Sequence, residues 1–356
     1  MSSQVAPLIP RSRTAHLAVL GCGHWGKNLV RNFDQLGALA AICDPSAQRR
    51  EEAAPLAPSA TVYEHYSDVF QDPDVQAVAI ATPAETHFEL AAEALERGLD
   101  VFVEKPLCAS YQQGRQLHAL AQRLGRILMV GHLLEYHPAV VRMRQLLSEG
   151  VLGRLNYVYS NRLNFGKIRV EENALWSFAP HDVAVILRLV GEEPLEVTCC
   201  GGSYITPNLA DVTVSCLHFR TGLRAHVFVS WLNPFKEQKL VVVGDRKMAV
   251  FNDVSKDEKL VLFDQCVSMN ERQPVLKSGL HETIAIPPDE PLRLECQHFL
   301  DSVDKRTTPL TDSAEGLDEP ARPQVKGGHG RHHGVPGVWA ALSRVRARHV
   351  ALSGSG

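Results

Sequence analysis

The chain has 356 residues, 45% hydrophobic and 22% charged, which is enough material for two packed domains and too apolar for a disordered polymer. Its formal charge of −3 offers no broad attraction for phosphate backbones or anionic lipid. No apolar run reaches the roughly eighteen residues of a membrane span, and Met1–Thr14 lacks the basic start and apolar middle of a secretory signal. These features argue against nucleic-acid and membrane partners, make a small molecule the expected ligand, and place the chain in the cytoplasm.

After an N-terminal tail (residues 1–14), apolar runs that read as strands fall at Leu17–Leu20, Leu39–Cys43, Ala77–Ala81, Val101–Val103 and Ile127–Val130. Between them, Phe88–Leu95 and Leu117–Leu124 carry apolar residues at helical spacing, and Gly98 and Gly125 mark their ends. Strand and helix in alternation predict a doubly wound parallel sheet over residues 15–131. Gly21, Gly23 and Gly26 form G-x-G-x-x-G where the first strand meets the first helix. The first glycine permits the tight turn, the second lets backbone approach a pyrophosphate, and the third lets helix and strand pack closely. Asp44, at the end of the second run, is placed to bind an adenosine ribose hydroxyl. Its charge would repel a 2′-phosphate, so NAD is expected over NADP, although Arg49 and Arg50 follow closely.

Beyond Gly131 the pattern changes. A helix-like segment at Ala139–Leu147 precedes "LNYVYSNRLNF", and an apolar helix is expected around Ala184–Val190. Alternating runs follow at Leu195–Cys200, Val212–Phe219, Arg224–Trp231, Lys239–Val243, Met248–Phe251 and Leu260–Phe263, with Thr221-Gly222 reading as a hairpin turn. This is an α+β domain, residues 132–316, with a large, mainly antiparallel sheet and helices on one face. The apolar "HVFVSWL" suggests that a second copy covers the other face, as a homodimer or homotetramer. The eight cysteines include no C-x-x-C pair, so neither a zinc site nor a disulfide framework is expected. His329, His332 and His333 lack Cys or acidic partners at ligand spacing and read as a solvated basic tail. Residues 317–356 carry too many prolines and glycines for one closing helix and are expected to be disordered.

At "VFVEKPL" the motifs accumulate into a resemblance. Glu104-Lys105-Pro106 after the fifth strand, with "GCGHWG", "ATPAETH" and an α+β second half, resembles the glucose-fructose oxidoreductase/inositol dehydrogenase (Gfo/Idh/MocA) family from about His16 to about Gly316. The phrases "GHWGKNLVRNF", "NALWSFAPHDVAVIL" and "SWLNPFKEQKLVVVG" resemble the branch typified by UDP-N-acetylglucosaminuronate 3-dehydrogenases. The likeness implies an NAD-dependent oxidoreductase acting on a ring hydroxyl of a nucleotide-linked acetamido sugar or uronic acid. A dehydrogenase of a free sugar or polyol, and a dinucleotide-binding sensor without turnover, are the alternatives. It further implies that Lys105 is the catalytic lysine, that the peptide before Pro106 is often cis, and that Glu104, Thr82, Pro83, His87, His24 and Trp25 lie at the cofactor.

Oxidising a secondary alcohol needs a group that removes the hydroxyl proton, and two side chains qualify. A lysine has a pKa of about 10.4 in water and becomes a useful base only when desolvated or placed beside positive charge. His181, with an unperturbed value near 6.5, needs no such help. Either is the base, or His181 orients the hydroxyl while Lys105 takes the proton. Many family members carry Asp four positions before that histidine, where this chain has Ser177, so an Asp-His relay is not available from that position. Tyr136, Arg162, Asn164 and Ser177 are the candidate substrate contacts; for Tyr136, Arg162 and Asn164, as for His132, His137 and Arg169, solvated surface is the competing reading.

Overall fold

The computed structural model describes residues 16–108, 110–170 and 172–313. The calls on the tails, residues 1–14 and 317–356, and on His329, His332 and His333 therefore lie outside the described residues. The chain divides into two compact units. One holds the described residues up to Gly131 together with the segment from Leu292 onward, and the other holds His132–Pro291.

In the first unit the elements are β1 (Leu17–Leu20), α1 (Gly26–Gln35), β2 (Leu39–Cys43), α2 (Ala47–Ala53), β3 (Thr61–Tyr63), α3 (Tyr66–Val69), β4 (Ala77–Ile80), α4 (His87–Glu96), β5 (Asp100–Glu104), α5 (Tyr111–Leu124) and β6 (Leu128–Gly131). The six strands pair in parallel in the order β3-β2-β1-β4-β5-β6, the doubly wound sheet expected from the alternating periods. Strands buried on both faces read as near-continuous apolar runs, which is why five of the six were legible. The exception in kind is β3, three residues at the sheet edge with no buried position, too short to show a period. On one face Ala18, Val78 and Val101 pack against α4 and α5 through Leu90, Leu95, Leu117 and Ala121.

The second unit runs α6 (Pro138–Ser148), β7 (Leu155–Phe165), α7 (Ala174–Val190), β8 (Glu196–Gly202), β9 (Val212–His218), β10 (Arg224–Ser230), β11 (Leu232–Gly244), β12 (Met248–Asn252), β13 (Leu260–Asn270) and β14 (Gln273–Thr283). Its eight-stranded sheet has the order β14-β13-β12-β11-β7-β10-β9-β8, antiparallel except where β7 and β10 run parallel. The core lies between one face of this sheet and α6 and α7, with Met143, Val183, Ile186, Val227 and Trp231 at its centre. Half of "HVFVSWL" thus serves the unit's own core: Val227, Val229 and Trp231 are buried, while His226 and Phe228 alternate to the helix-free face. The β13–β14 hairpin escaped the sequence reading because its turn uses Glu271 and Arg272 at positive φ, 47° and 74°, in place of the usual Gly or Asn, and β14 has no buried residue.

Two sequence-based expectations are corrected. The helix expected around Ala184 begins ten residues earlier, at Ala174, where Asn173 caps it by accepting the Trp176 N–H at 3.0 Å. Pro180 and His181 are therefore inside the helix and not at its start. The second correction concerns the final segment, assigned from sequence to the second domain. From Leu292 it joins the first unit through α8 (Pro291–Lys305). Phe102 of β5 receives Phe33 of α1 and Phe299 of α8 edge-on, with ring centroids 6.5 and 5.8 Å away, so α1 and α8 cover one face of the sheet together. The chain then lies along the edge strand: the Val130 N–H donates to Thr311 O at 2.8 Å, and the Thr311 hydroxyl donates to Val130 O at 2.7 Å. That closes an exposed β edge. Phe299→Ala is expected to cost about 3–5 kcal/mol in urea unfolding, as for a large aromatic removed from a core. An unchanged unfolding midpoint would show that α8 is not part of the domain core.

Candidate functional site

The first unit builds a cleft at the C-terminal ends of its strands. Gly21 follows β1 at φ +92°, and a Cβ there would lie 2.8 Å from the backbone of Ala81 and Thr82, so only glycine lets the β1 and β4 ends come together. Gly26 opens α1 against Gly21, whose carbonyl oxygen would be 1.9 Å from an added Cβ. Gly23 by contrast has nothing within 4 Å of a Cβ position and lines a cleft of about 690 Å³ together with His24, Asp44, Thr82 and Pro83. No side chain caps the N-terminus of α1, and its first turn holds no acid. Lys27 and Asn28 N–H already donate to Gly23 O and Trp25 O at 3.1 and 2.9 Å, so what the turn offers an anion is the positive end of the helix dipole. This cradle fits a dinucleotide pyrophosphate.

Asp44 is 2% exposed and fixed by backbone: its Oδ2 accepts from Cys22 N–H at 2.8 Å and its Oδ1 from Ser46 N–H at 2.9 Å. A carboxylate held this way keeps lone pairs for ribose hydroxyls. Of the two arginines that follow, Arg50 turns to the carbonyls of Asp44 and Pro45 and to Glu64, whereas Arg49 places Nη1 at 3.7 Å from Asp44 Oδ2. Tyr66, which sequence reasoning passed over, also lines the cleft, and burial beside Asp44 pushes its phenol up to about 12, keeping it protonated as a donor.

The loops after β4 and β5 are tied together by His87. Its ring is 1% exposed, with Nδ1 2.7 Å from Pro106 O and Nε2 2.9 Å from Thr82 O. Two carbonyl acceptors favour a doubly protonated ring, but burial outweighs them and lowers the His87 pKa. In its neutral form the ring donates to one of the two carbonyls. Thr82 accepts the Thr86 hydroxyl at 2.7 Å. Lys105–Pro106 is a cis peptide, and Glu104 ends β5 with Oε1 accepting the Trp25 indole N–H. Trp25 itself is 37% exposed. Burial pushes the Glu104 carboxyl up to about 7, against the opposing pull of Trp25 and Lys105.

The remaining candidates belong to the second unit. His181 lies in α7 with the His132 ring 6.3 Å away and perpendicular, and Ser177 sits one turn earlier, 7% exposed. His132, for which solvated surface was the competing reading, is thus one of the groups beside His181. Arg162 of β7 is committed elsewhere: its Nε donates to Asp182 Oδ2 at 2.6 Å and its Nη2 to Oδ1 at 3.3 Å, while Ser160 adds a hydrogen bond to Oδ1 at 2.6 Å. A guanidinium paired bidentately inside the domain is a poor anchor for a diphosphate. Asn164 stands two residues further along β7, Arg169 pairs with Glu172 at 3.1 Å, Tyr136 is 6% exposed, and His137 caps α6 by accepting Ala139 N–H at 3.1 Å. Among the described residues no group of three or more His, Cys, Asp or Glu side chains is placed to hold a metal ion, and no helix is long and apolar enough to cross a membrane.

Comparison with known proteins places these features in a family. Residues 15–132 match the model of an oxidoreductase family's NAD-binding Rossmann fold, and residues 140–250 match the Gfo/Idh/MocA C-terminal domain. Among curated relatives, 2,7-anhydro-N-acetylneuraminate hydratase of Mediterraneibacter gnavus is 30% identical over 204 residues, 54% of this chain and 53% of that protein. UDP-N-acetylglucosamine 3-dehydrogenase of Acidithiobacillus ferrooxidans is 29% identical over 218 residues, 60% of this chain and 66% of that protein. The chain thus spans about half to two thirds of the length of these relatives. The solved structure of the Acidithiobacillus enzyme superposes with a TM-score of 0.74 at 23% identity, covering 85% of this chain and 92% of that one, which establishes a shared fold.

The cradle predicts that Asp44→Ala weakens NADH binding about 10- to 100-fold, the worth of hydrogen bonds to a charged group, with Asp44→Asn losing less. Fluorescence titration checks this, and equal affinities would remove Asp44 from the ribose site. Residues 15–132 and 140–250 together cover more than half of the chain, and both match the two domains of one family; the chain belongs to the Gfo/Idh/MocA oxidoreductase family, with NAD as its cofactor.

Proposed function

We propose that the protein oxidises a ring hydroxyl of a sugar, and that the sugar is nucleotide-linked and carries an acetamido or uronic acid group. The observation that carries this reading is Lys105, set at the end of β5 beside Glu104 in an NAD-binding unit. Likeness to a UDP-N-acetylglucosamine 3-dehydrogenase supports the choice of substrate class. When bound, NAD supplies the hydride acceptor. Gly21, Gly23 and the α1 N-terminus hold its pyrophosphate, and Asp44 holds its ribose. The chain's own residues handle the proton, and the two candidates to take it from the substrate hydroxyl are Lys105 Nζ and His181. Burial of a lysine near a cationic ring favours its neutral amine, which is the form a base needs. Asn164 and Ser177 are assigned to substrate contacts. Arg162 is assigned instead to holding Asp182, next in sequence to His181, in place.

NADH absorbance with a panel of UDP-sugars tests the reaction, with free glucose and inositol as comparators. UDP-sugar-dependent NADH is expected, with Lys105→Ala lowering the rate by about 10² to 10⁴. Turnover of inositol alone would sink the substrate assignment, and an unaffected Lys105→Ala would sink the role of the lysine.

We also propose a second copy of the chain as the partner of the sheet's helix-free face. There Tyr157, Tyr159 and His226 stack in a row, the last two with ring centroids 5.0 Å apart and planes within 2°. Light scattering is expected to give a dimer or tetramer, and Tyr159→Glu to lower the mass. A wild-type monomer at micromolar concentration would overturn this.

A further inference from the structure

Between β6 and α6 the chain makes one 3-10 turn, Leu133–Tyr136, with His132 just before it. The Glu135 N–H donates to His132 O at 2.9 Å, and side chains three residues apart in such a turn eclipse, so His132 and Glu135 project from the same side. Both meet α7. His132 stands perpendicular to the His181 ring, and Glu135 Oε2 lies 3.4 Å from Arg188 Nε. Positions 181 and 188 are seven residues apart on α7, close to two full turns, so they share one stripe of the helix with Ser177. The stripe that carries the second unit's candidate groups on α7 therefore also carries the arginine that meets the turn.

Glu135 is fully buried, and Arg144 of α6 is its second cation, with Nη1 at 3.6 Å. Burial raises its carboxyl above the ordinary range, against the pull of Arg188 first and Arg144 second. A buried ion pair adds little to stability, because desolvation offsets most of the attraction; the use best attested for such groups is to fix register. Leu134, in the core, and the buried Tyr136 set how deep the turn sits. Apolar contact is non-directional and does not by itself fix where the turn lies along α7. A carboxylate that must meet a guanidinium on one stripe does.

We propose that Glu135 is a positioning residue for the His132–His181 pair: by meeting Arg188 it sets where the 3-10 turn lies along α7, and so holds the His132 ring against His181. The proposal rests on His181 being a group that handles the substrate proton. Glu135 acts through His132 and is not itself a catalytic residue. Groups around a reacting atom tolerate little misplacement, and an error of about 1 Å costs up to about 100-fold in rate.

The test reads ring geometry without substrate and then reads kinetics. Crystal structures of the full-length protein and of Arg188→Met, Glu135→Leu/Arg188→Met and Arg144→Met give the separation of the His132 and His181 rings; kcat and KM follow with the panel of UDP-sugars. Apolar replacement of a whole buried pair is often neutral for stability, so the double variant separates loss of the tie from loss of the fold, and urea unfolding checks that it does. Arg188→Met and the double variant are expected to displace the His132 ring by about 1 Å or more and to lower kcat by about 10- to 100-fold with KM little changed. Arg144→Met is expected to leave both as they are. Wild-type ring geometry in the double variant, an equal displacement in Arg144→Met, or displaced rings with an unchanged kcat overturns the proposal. Should Arg188→Met fold poorly, the double variant decides. Displaced rings in a protein that turns over no sugar even as wild type would uphold the tie and refute the role given to His181 alone.

Discussion

The cofactor cleft depends on how closely three stretches of backbone approach one another around Gly21 and Gly26. The Gly21 carbonyl occupies the volume that a Cβ at position 26 would need, and the turn itself lies against the backbone of Ala81 and Thr82. That contact brings the ends of β1 and β4 together and aims the N-terminus of α1 across them. With those two ends fixed, Asp44 at the end of the neighbouring β2 falls beside the turn, and Cys22 N–H meets its carboxylate. The placing of the glycine turn, the start of α1 and Asp44 around one cleft is a consequence of one steric constraint.

A second constraint works from the far end of the chain. The segment from Leu292 returns to the sheet that the first third built, and each of its contacts is long-range: Phe299 on Phe102, Thr311 along β6, Arg306 on Asp100 at 2.6 Å, and His118 on Ser313 at 3.0 Å. It shields an edge strand that would otherwise be open to pairing. It also carries Phe299 onto Phe102 of β5, two residues before Glu104, so the packing beneath the Lys105 motif comes from a helix far away in sequence. The motif supplies the lysine; the fold supplies its surroundings.

In the second unit the organising interaction is the Arg162–Asp182 pair, which joins the central strand β7 to α7 with Ser160 as a third partner. A charge pair at such a place holds together only because the hydrogen bonds satisfy both ions, and removing one partner leaves the other buried and uncompensated. It anchors the middle of α7, where Pro180 removes a backbone donor, and thereby the turn that carries Ser177 and His181.

Patterns that repeat within a few residues were readable from the sequence alone. The buried parallel strands announce themselves as apolar runs, the glycine turn by spacing, Asp44 by its position after the second run, and the antiparallel strands by alternation. Each is a local rule: a period, a steric need for glycine, a turn. The tertiary structure decided what no local rule contains. It showed that α7 starts at Ala174 and runs through a proline, because its burial outweighs the lost hydrogen bond. It showed that the β13–β14 turn takes positive φ without glycine, that Arg162 is spent on Asp182, that His132 lies beside His181, and that the last described helix packs on the first sheet. Local sequence specifies which backbone shapes and side-chain chemistries are available. Which of them meet depends on packing between segments far apart in the chain, as when Phe299 closes on Phe102.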